Sequence, residues 1–149
     1  MPSLQHRVVA LCWAERLLAN QIVIEDREVD QFVLEEVDSV PHLEALLLLW
    51  NSRPQPWILD NVAKRLYVAS STAAALLQDL SRQGLVTIIP GSPEQYGYGP
   101  QSEEKDKLMA RLDVIYRKEV VRISTLIHSK PSSRVRDFAR AFRFTKERE

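Results

Sequence analysis

The chain has 149 residues, enough for one domain with a substantial core and short extensions at either end. Hydrophobic residues make up 45% and charged residues 27%, an ordinary globular composition that excludes a wholly disordered, collagenous or mucin-like chain. The formal net charge is zero, which withholds the general attraction for phosphate that a basic protein carries.

The first twenty-five residues form an N-terminal extension of open structure: Val8, Val9, Leu11, Cys12, Leu17 and Leu18 have the spacing to line a helix, while Gln21 to Glu25 reads as a short extended piece. Their apolar run, Val8 to Ala14, is stopped by Glu15 and Arg16 well short of a bilayer crossing, so neither a signal peptide nor a membrane span is read. Cys12 is the only cysteine, which excludes an internal disulfide and a cysteine-based zinc site and fits a reducing, cytoplasmic compartment.

From Asp26 the pattern sharpens. Val29, Phe32, Val33 and Val37 fall at helical spacing, with Glu28, Asp30, Glu35 and Glu36 on the other face. Asp38 or Ser39 can cap the next helix, Pro41 to Trp50, whose first turn tolerates the proline. Its run Ala45 to Trp50 is apolar nearly all round, which predicts the buried central helix. Pro54 and Pro56 break it. A third helix is expected from about Asp60 to Val68, with Val62, Ala63 and Leu66 inward and Asn61, Lys64 and Arg65 outward. After a tight turn a fourth helix runs to Gln83 and is closed by Gly84. The period then changes: Leu85 to Ile89, a turn at Pro90 to Pro93, and Gln95 to Gly99 read as a β-hairpin.

A last helix is expected from Ser102, with Glu103 and Glu104 in its first turn, to near His128. Roughly twenty-six residues at about 1.5 Å each give about 40 Å, too long for a small core to bury alone. Leu108, Met109, Leu112, Ile115, Tyr116, Val120, Ile123, Leu126 and Ile127 form its broad apolar stripe. That breadth suits a helix covering both its own domain and a second subunit, with Glu119 placed to pair across the interface. The alternative is packing within one chain.

Helix, short turn, helix, glycine and hairpin, in that order, is the plan in which the helix before the hairpin enters the major groove. Leu43 to Trp50, Ile58 to Tyr67, Ser70 to Val86 and the strand Tyr96 to Gly99 resemble a winged helix-turn-helix transcriptional regulator of MarR-like type, over about two-thirds of the chain. The run from Leu76 to Val86, LLQDLSRQGLV, is the most typical piece. The resemblance implies a mainly α fold with a small β-hairpin wing, double-stranded DNA as partner, and a homodimer formed through terminal helices. The expected units are therefore the extension 1–25, the winged domain 26–100, a dimerisation helix 101–129 and a tail 130–149, with Leu108, Leu112, Ile115, Tyr116, Ile123 and Ile127 at the dimer interface.

On a helical wheel Ala73, Leu76, Leu77 and Leu80 fall on one side of the fourth helix, opposite Ser71, Ala75, Gln78 and Arg82, with Thr72, Ala74 and Asp79 flanking. Gln pairs with adenine and Arg with guanine at major-groove edges, and Ala or the Thr methyl can touch the thymine methyl. Ser71, Thr72, Ala75, Gln78 and Arg82 are thus the candidate base contacts and Lys64 and Arg65 the candidate phosphate contacts; an ordinary solvated surface is the competing reading. One departure from the family stands out, because wings of this type commonly carry Arg or Lys, whereas Pro90 to Gly99 has no basic residue and contains Glu94. That departure favours a second reading, a winged-helix protein-interaction module without DNA binding.

The tail completes a charge gradient: the net charge is −5 over Met1 to Val40, −1 over Pro41 to Glu103, +2 over Glu104 to Ser129 and +4 over Lys130 to Glu149. Within it Val135, Phe138, Ala139 and Phe142 fall at helical spacing among Arg134, Arg136, Arg140 and Arg143. Docking within the dimer, DNA, an anionic membrane surface and another protein partner all fit such a segment, the first best; no membrane insertion is expected. His6, His42 and His128 lack ligand spacing, Cys12 reads as packed, and no nucleophile and base share a motif. No metal, cofactor or enzymatic activity is expected.

Overall fold

The computed structural model describes residues 26–99 and 102–131. The expectations for the extension 1–25 and for the tail beyond Pro131 lie outside the described residues.

Helix α1 (residues 26–36) buries Val29, Phe32 and Val33, and Val37 follows them into the core. Ser39 then caps α2 (Val40–Asn51), its side chain accepting from the backbone N–H of His42. Seven of the 12 residues of α2 are buried: His42, Leu43, Ala45, Leu46, Leu47, Leu49 and Trp50. Each fully buried leucine contributes about 1.5–3 kcal/mol relative to an exposed one, so this helix carries the centre of the core, as its all-round apolar pattern predicts. Where α2 is polar, it is tied to a neighbour: Tyr116 donates to Glu44 at 3.1 Å, and Asn51 donates to Asp113 at 3.0 Å.

The chain continues through β1 (Trp57–Ile58), α3 (Leu59–Leu66), α4 (Ser70–Arg82), β2 (Val86–Ile89) and β3 (Gln95–Tyr98). Helix α3 begins at Leu59 and stops at Leu66, because Tyr67 turns the chain in the left-handed conformation with φ 56° and ψ 41°. Gly84, with φ 76°, makes the same kind of turn after α4, where a residue without a Cβ is unstrained. The sheet has the order β1-β3-β2 and is antiparallel throughout, with Val86 opposite Tyr98, Ile89 opposite Gln95 and Trp57 opposite Tyr96. Strand β1 has no counterpart among the expected elements; two residues carry no period, and only their pairing with β3 makes them a strand.

The hairpin is pinched at its base. Gly99 donates to the carbonyl of Leu85 at 3.0 Å, and a Cβ on Gly99 would meet the Gly84 carbonyl oxygen at 3.0 Å. Trp50 of α2 meets Tyr98 of β3 edge-on, with ring centroids 5.1 Å apart, and the Arg53 guanidinium lies over the Trp50 ring.

The long terminal helix expected from Ser102 to His128 is two helices, α5 (Glu103–Lys118) and α6 (Val120–His128), separated at Glu119, which leaves helical geometry with φ −129° and ψ 44°. Ser102 caps α5 as expected. On either side of the break the two helices are tied to α1. Arg111 of α5 pairs with Glu28 at 2.6 Å, and Arg122 of α6 bonds both carboxylate oxygens of Asp30 at 2.8 and 2.9 Å. Lys130 then reaches the carbonyl of Val37, so α6 runs alongside α1 in the same direction. After the break Ile123 and Ile127 join the same buried core as Val29 and Val33. Within its own chain Glu119 pairs with Arg122. The molecule is mainly helical with a three-stranded antiparallel sheet bearing a hairpin, a winged helix-turn-helix.

Two measurements test this packing. Leu77 of α4 is fully buried against the core, and Leu77→Ala is expected to cost about 2–5 kcal/mol in chemical denaturation. Burial first, then the charge of Asp106, pushes the Tyr98 hydroxyl up to about 12; burial, then Glu44, does the same for Tyr116. The unfolded chain ionises these groups near 10.0, so their contribution is intact below that pH and is lost as pH rises through 12. The urea midpoint should fall over this interval, and Tyr116→Phe should blunt the fall.

Candidate nucleic-acid interface

Helix α4 has two unlike sides. Ala73, Leu76, Leu77 and Leu80 are buried and fix the helix to the core, while Ser71, Thr72, Ala75, Gln78 and Arg82 are exposed. The spacing does this directly, since positions three and four apart share a face. The outward side is small and polar over its N-terminal two turns, which lets the backbone approach a flat or grooved surface closely. Ser70 donates to Asp60 of α3 at 3.4 Å, and Val68 closes the turn by donating to Ala63 at 3.1 Å.

The two candidate phosphate contacts are exposed on α3, but they do not share one setting. Arg65 lines a groove of about 480 Å³ between α2, α3 and α5, together with Glu44, Leu47, Tyr67, Tyr116 and Arg117. Tyr67, on the rim of this groove, is 91% exposed although its backbone is strained. The wing offers no cation: between Val86 and Gly99 the only charged residue is Glu94, which accepts from the Tyr96 hydroxyl at 3.3 Å. Burial, and then Glu94, raises the pKa of Tyr96. Ile88 and Ile89 of β2 are partly exposed.

Arg82 does not stand alone on α4. Its guanidinium donates to Asp79 at 2.7 Å, and the other oxygen of Asp79 lies 3.1 Å from Nε2 of His42. The spacing of Asp79 and Arg82 makes their pairing legible; the contact with His42, 37 residues away in the chain, leaves no mark on the sequence.

The expected dimerisation stripe is divided. Leu112, Ile123 and Ile127 are buried within this chain's own core, against α1 and α2, and have no surface left to offer a partner. Leu108, Ile115 and Tyr116 are half-buried. The apolar side chains that α5 and α6 do expose are Val114, Val120 and Val121. Among the described residues no group of His, Cys, Asp and Glu is arranged to hold a metal ion, and no helix is long and apolar enough to cross a membrane.

No protein-family model matches the sequence, and no curated protein matches it significantly. Solved structures do. The chain is similar to MepR, a transcription regulator of the Staphylococcus aureus multidrug efflux pump MepA, at 15% identity over 93% of this chain and 98% of that one, with a TM-score of 0.47. It is similar to the multiple antibiotic-resistance repressor MarR of Listeria monocytogenes at 13% identity over 99% and 96% of the two chains, with a TM-score of 0.46. A MarR family transcriptional regulator from Silicibacter pomeroyi shares 16% identity over 87% and 91%, with a TM-score of 0.47. At these identities the likeness is one of fold.

The strain at Tyr67 gives a direct check. A side chain in the left-handed region costs roughly 1–2 kcal/mol, and this one is too exposed to regain that by burial. Tyr67→Gly should raise stability by about 0.5 kcal/mol once the greater freedom of glycine in the unfolded chain is deducted, seen as a higher thermal midpoint.

Proposed function

We propose that the chain is a cytoplasmic, non-enzymatic transcriptional regulator that binds double-stranded DNA as a homodimer. The observation that carries this reading is the outward side of α4, where Ser71, Thr72, Ala75, Gln78 and Arg82 face solvent while the opposite side is locked into the core. Among the described residues nothing covers this side of the helix, and its other side is fixed to the core, as insertion into a major groove about 12 Å wide requires. In this reading Thr72, Ala75 and Gln78 meet base edges along the middle of the helix, Ser71 and Arg82 extend the contact at its two ends, and Lys64 and Arg65 approach phosphates.

Among the described residues a single copy has few cations on this side, and the wing adds none, so a second copy would double them. Half-sites separated by one helical turn, about 34 Å, would then be read in register. With Leu112, Ile123 and Ile127 spent on the core, the apolar surface that α5 and α6 keep for self-association, among the described residues, is Val114, Val120 and Val121 with the half-buried Leu108, Ile115 and Tyr116. The tail beyond Pro131, rich in arginine, is assigned to the dimer or to a protein partner.

Duplex fragments pooled from the source genome, incubated with the protein at low salt, test the reading. Saturable retention is expected, falling steeply as salt rises, and Gln78→Ala should weaken the selected fragment by about 1–3 kcal/mol. Absence of saturable retention would instead favour the protein-interaction reading that the acid-containing wing suggests, and retention that ignores Gln78→Ala would move the contact from α4 to another segment such as the tail. Light scattering should give twice the chain mass of 17.1 kDa; a monomer at every concentration refutes the dimer.

A further inference from the structure

The most prominent cation on the outward side of α4 is already engaged. Arg82 is 75% exposed, yet its Nη2 donates to Asp79 Oδ1 at 2.7 Å. The second oxygen of that carboxylate lies 3.1 Å from Nε2 of His42, a buried side chain on α2. The other ring nitrogen, Nδ1, lies 2.7 Å from Ser39 Oγ, the cap of the same helix. With the Ser39 hydroxyl donating to Nδ1 and Nε2–H donating to Asp79, a neutral imidazole satisfies both contacts.

An exposed ion pair between neighbouring turns of a helix is ordinarily loose, because both long side chains wander. Here only one partner is free to move. The carboxylate is anchored through the buried histidine, whereas the guanidinium sits on a flexible, solvated stem. Arg82 can leave Asp79; Asp79 cannot follow it.

We propose that Asp79 is a specificity-determining residue for duplex DNA, restraining Arg82 from indiscriminate phosphate binding and yielding it to a base edge. The inference rests on the DNA-binding reading above. A phosphate that takes the guanidinium must replace one full negative charge with another, and it must do so beside a carboxylate that repels it. The neutral pair therefore releases few counterions and adds little to nonspecific affinity. A guanine edge is uncharged and presents O6 and N7 to the guanidinium fork. Arginine has five N–H donors and Asp79 engages only Nη2, so a base contact and the Asp79 contact can coexist where a phosphate contact and the Asp79 contact oppose each other. Discrimination arises from penalising the wrong partner as much as from rewarding the right one.

The test compares the unaltered protein, Asp79→Asn, Arg82→Gln and the double variant on a random-sequence duplex and on the fragment selected from the genomic pool, over a salt series. Glu104→Gln, which removes an exposed acid from the first turn of α5, and Asp60→Asn, which removes one from α3 where it accepts from Ser70, report the effect of lost charge away from Arg82. Asp79→Asn is expected to tighten random-duplex binding about tenfold at low salt and to steepen the salt dependence by about 0.9 in log–log slope, the signature of one added phosphate contact. Glu104→Gln and Asp60→Asn should tighten it less, and the gain should vanish when Arg82→Gln is added. Arg82→Gln by itself should weaken the selected fragment about tenfold more than the random duplex. A gain that persists without Arg82, that Glu104→Gln or Asp60→Asn reproduces, or that fails to appear overturns the proposal. So does an Arg82→Gln loss equal on both duplexes, a result that stands even where Asp79→Asn does not fold. Retention of neither duplex by the unaltered protein removes the DNA reading and this inference with it; retention with indifferent variants removes this inference alone.

Discussion

Helix α2 is apolar around nearly its whole circumference, and every other element is placed by the need to cover it. Helices α3 and α4 close one side, strand β3 brings Tyr98 against Trp50, and α1, α5 and α6 complete the enclosure. Its few polar side chains are used as ties. Glu44 and Asn51 hold α5, and His42 holds α4 through Asp79. The outward-facing helix and the terminal helices are therefore referred to one common support, and in a close-packed interior a shift of either is felt by the other.

In the proposed function, this arrangement lets a chain of zero net charge present a nucleic-acid-binding surface. Rigidity is supplied by the core, so affinity does not depend on ordering a loose helix on contact. In the proposed function the described residues of each copy supply a small electrostatic part: Lys64 and Arg65 are exposed, Arg82 is paired, and the wing carries only Glu94. Recognition would lean on shape and on the polar edge of α4 more than on general attraction to phosphate.

The parts legible in the sequence are those decided by local periodicity. The wheel of α4 separates Leu76, Leu77 and Leu80 from Gln78 and Arg82, and the structure divides them the same way. Ser39, Ser102 and Gly84 announce their ends of helices by chemistry that acts within a turn. What escapes is whatever depends on partners distant in the chain. Strand β1 exists through its pairing with β3. The break at Glu119 is invisible to an apolar pattern, because Leu112 and Ile123 are eleven residues apart, a whole number of turns to within about 20°, and the stripe reads as continuous. The Asp30–Arg122 pair that accompanies the break joins residues 92 apart in the chain. The same stripe looked broad enough for a second subunit because α1 and α2 absorb much of it. Similarly, His42 carries no ligand spacing and becomes informative only beside Asp79. Helix-scale order was readable, and the wiring between helices was not.

The pinched base of the hairpin has a consequence for how such a protein can diversify. Because Gly84 and Gly99 bring the entering and leaving strands into backbone contact, the five residues from Pro90 to Glu94 project beyond a closed neck and are all exposed. Their chemistry is insulated from the interior. A few substitutions there could recharge or lengthen the tip while the scaffold beneath stayed as it is, which makes the hairpin an interchangeable fitting on a conserved chassis.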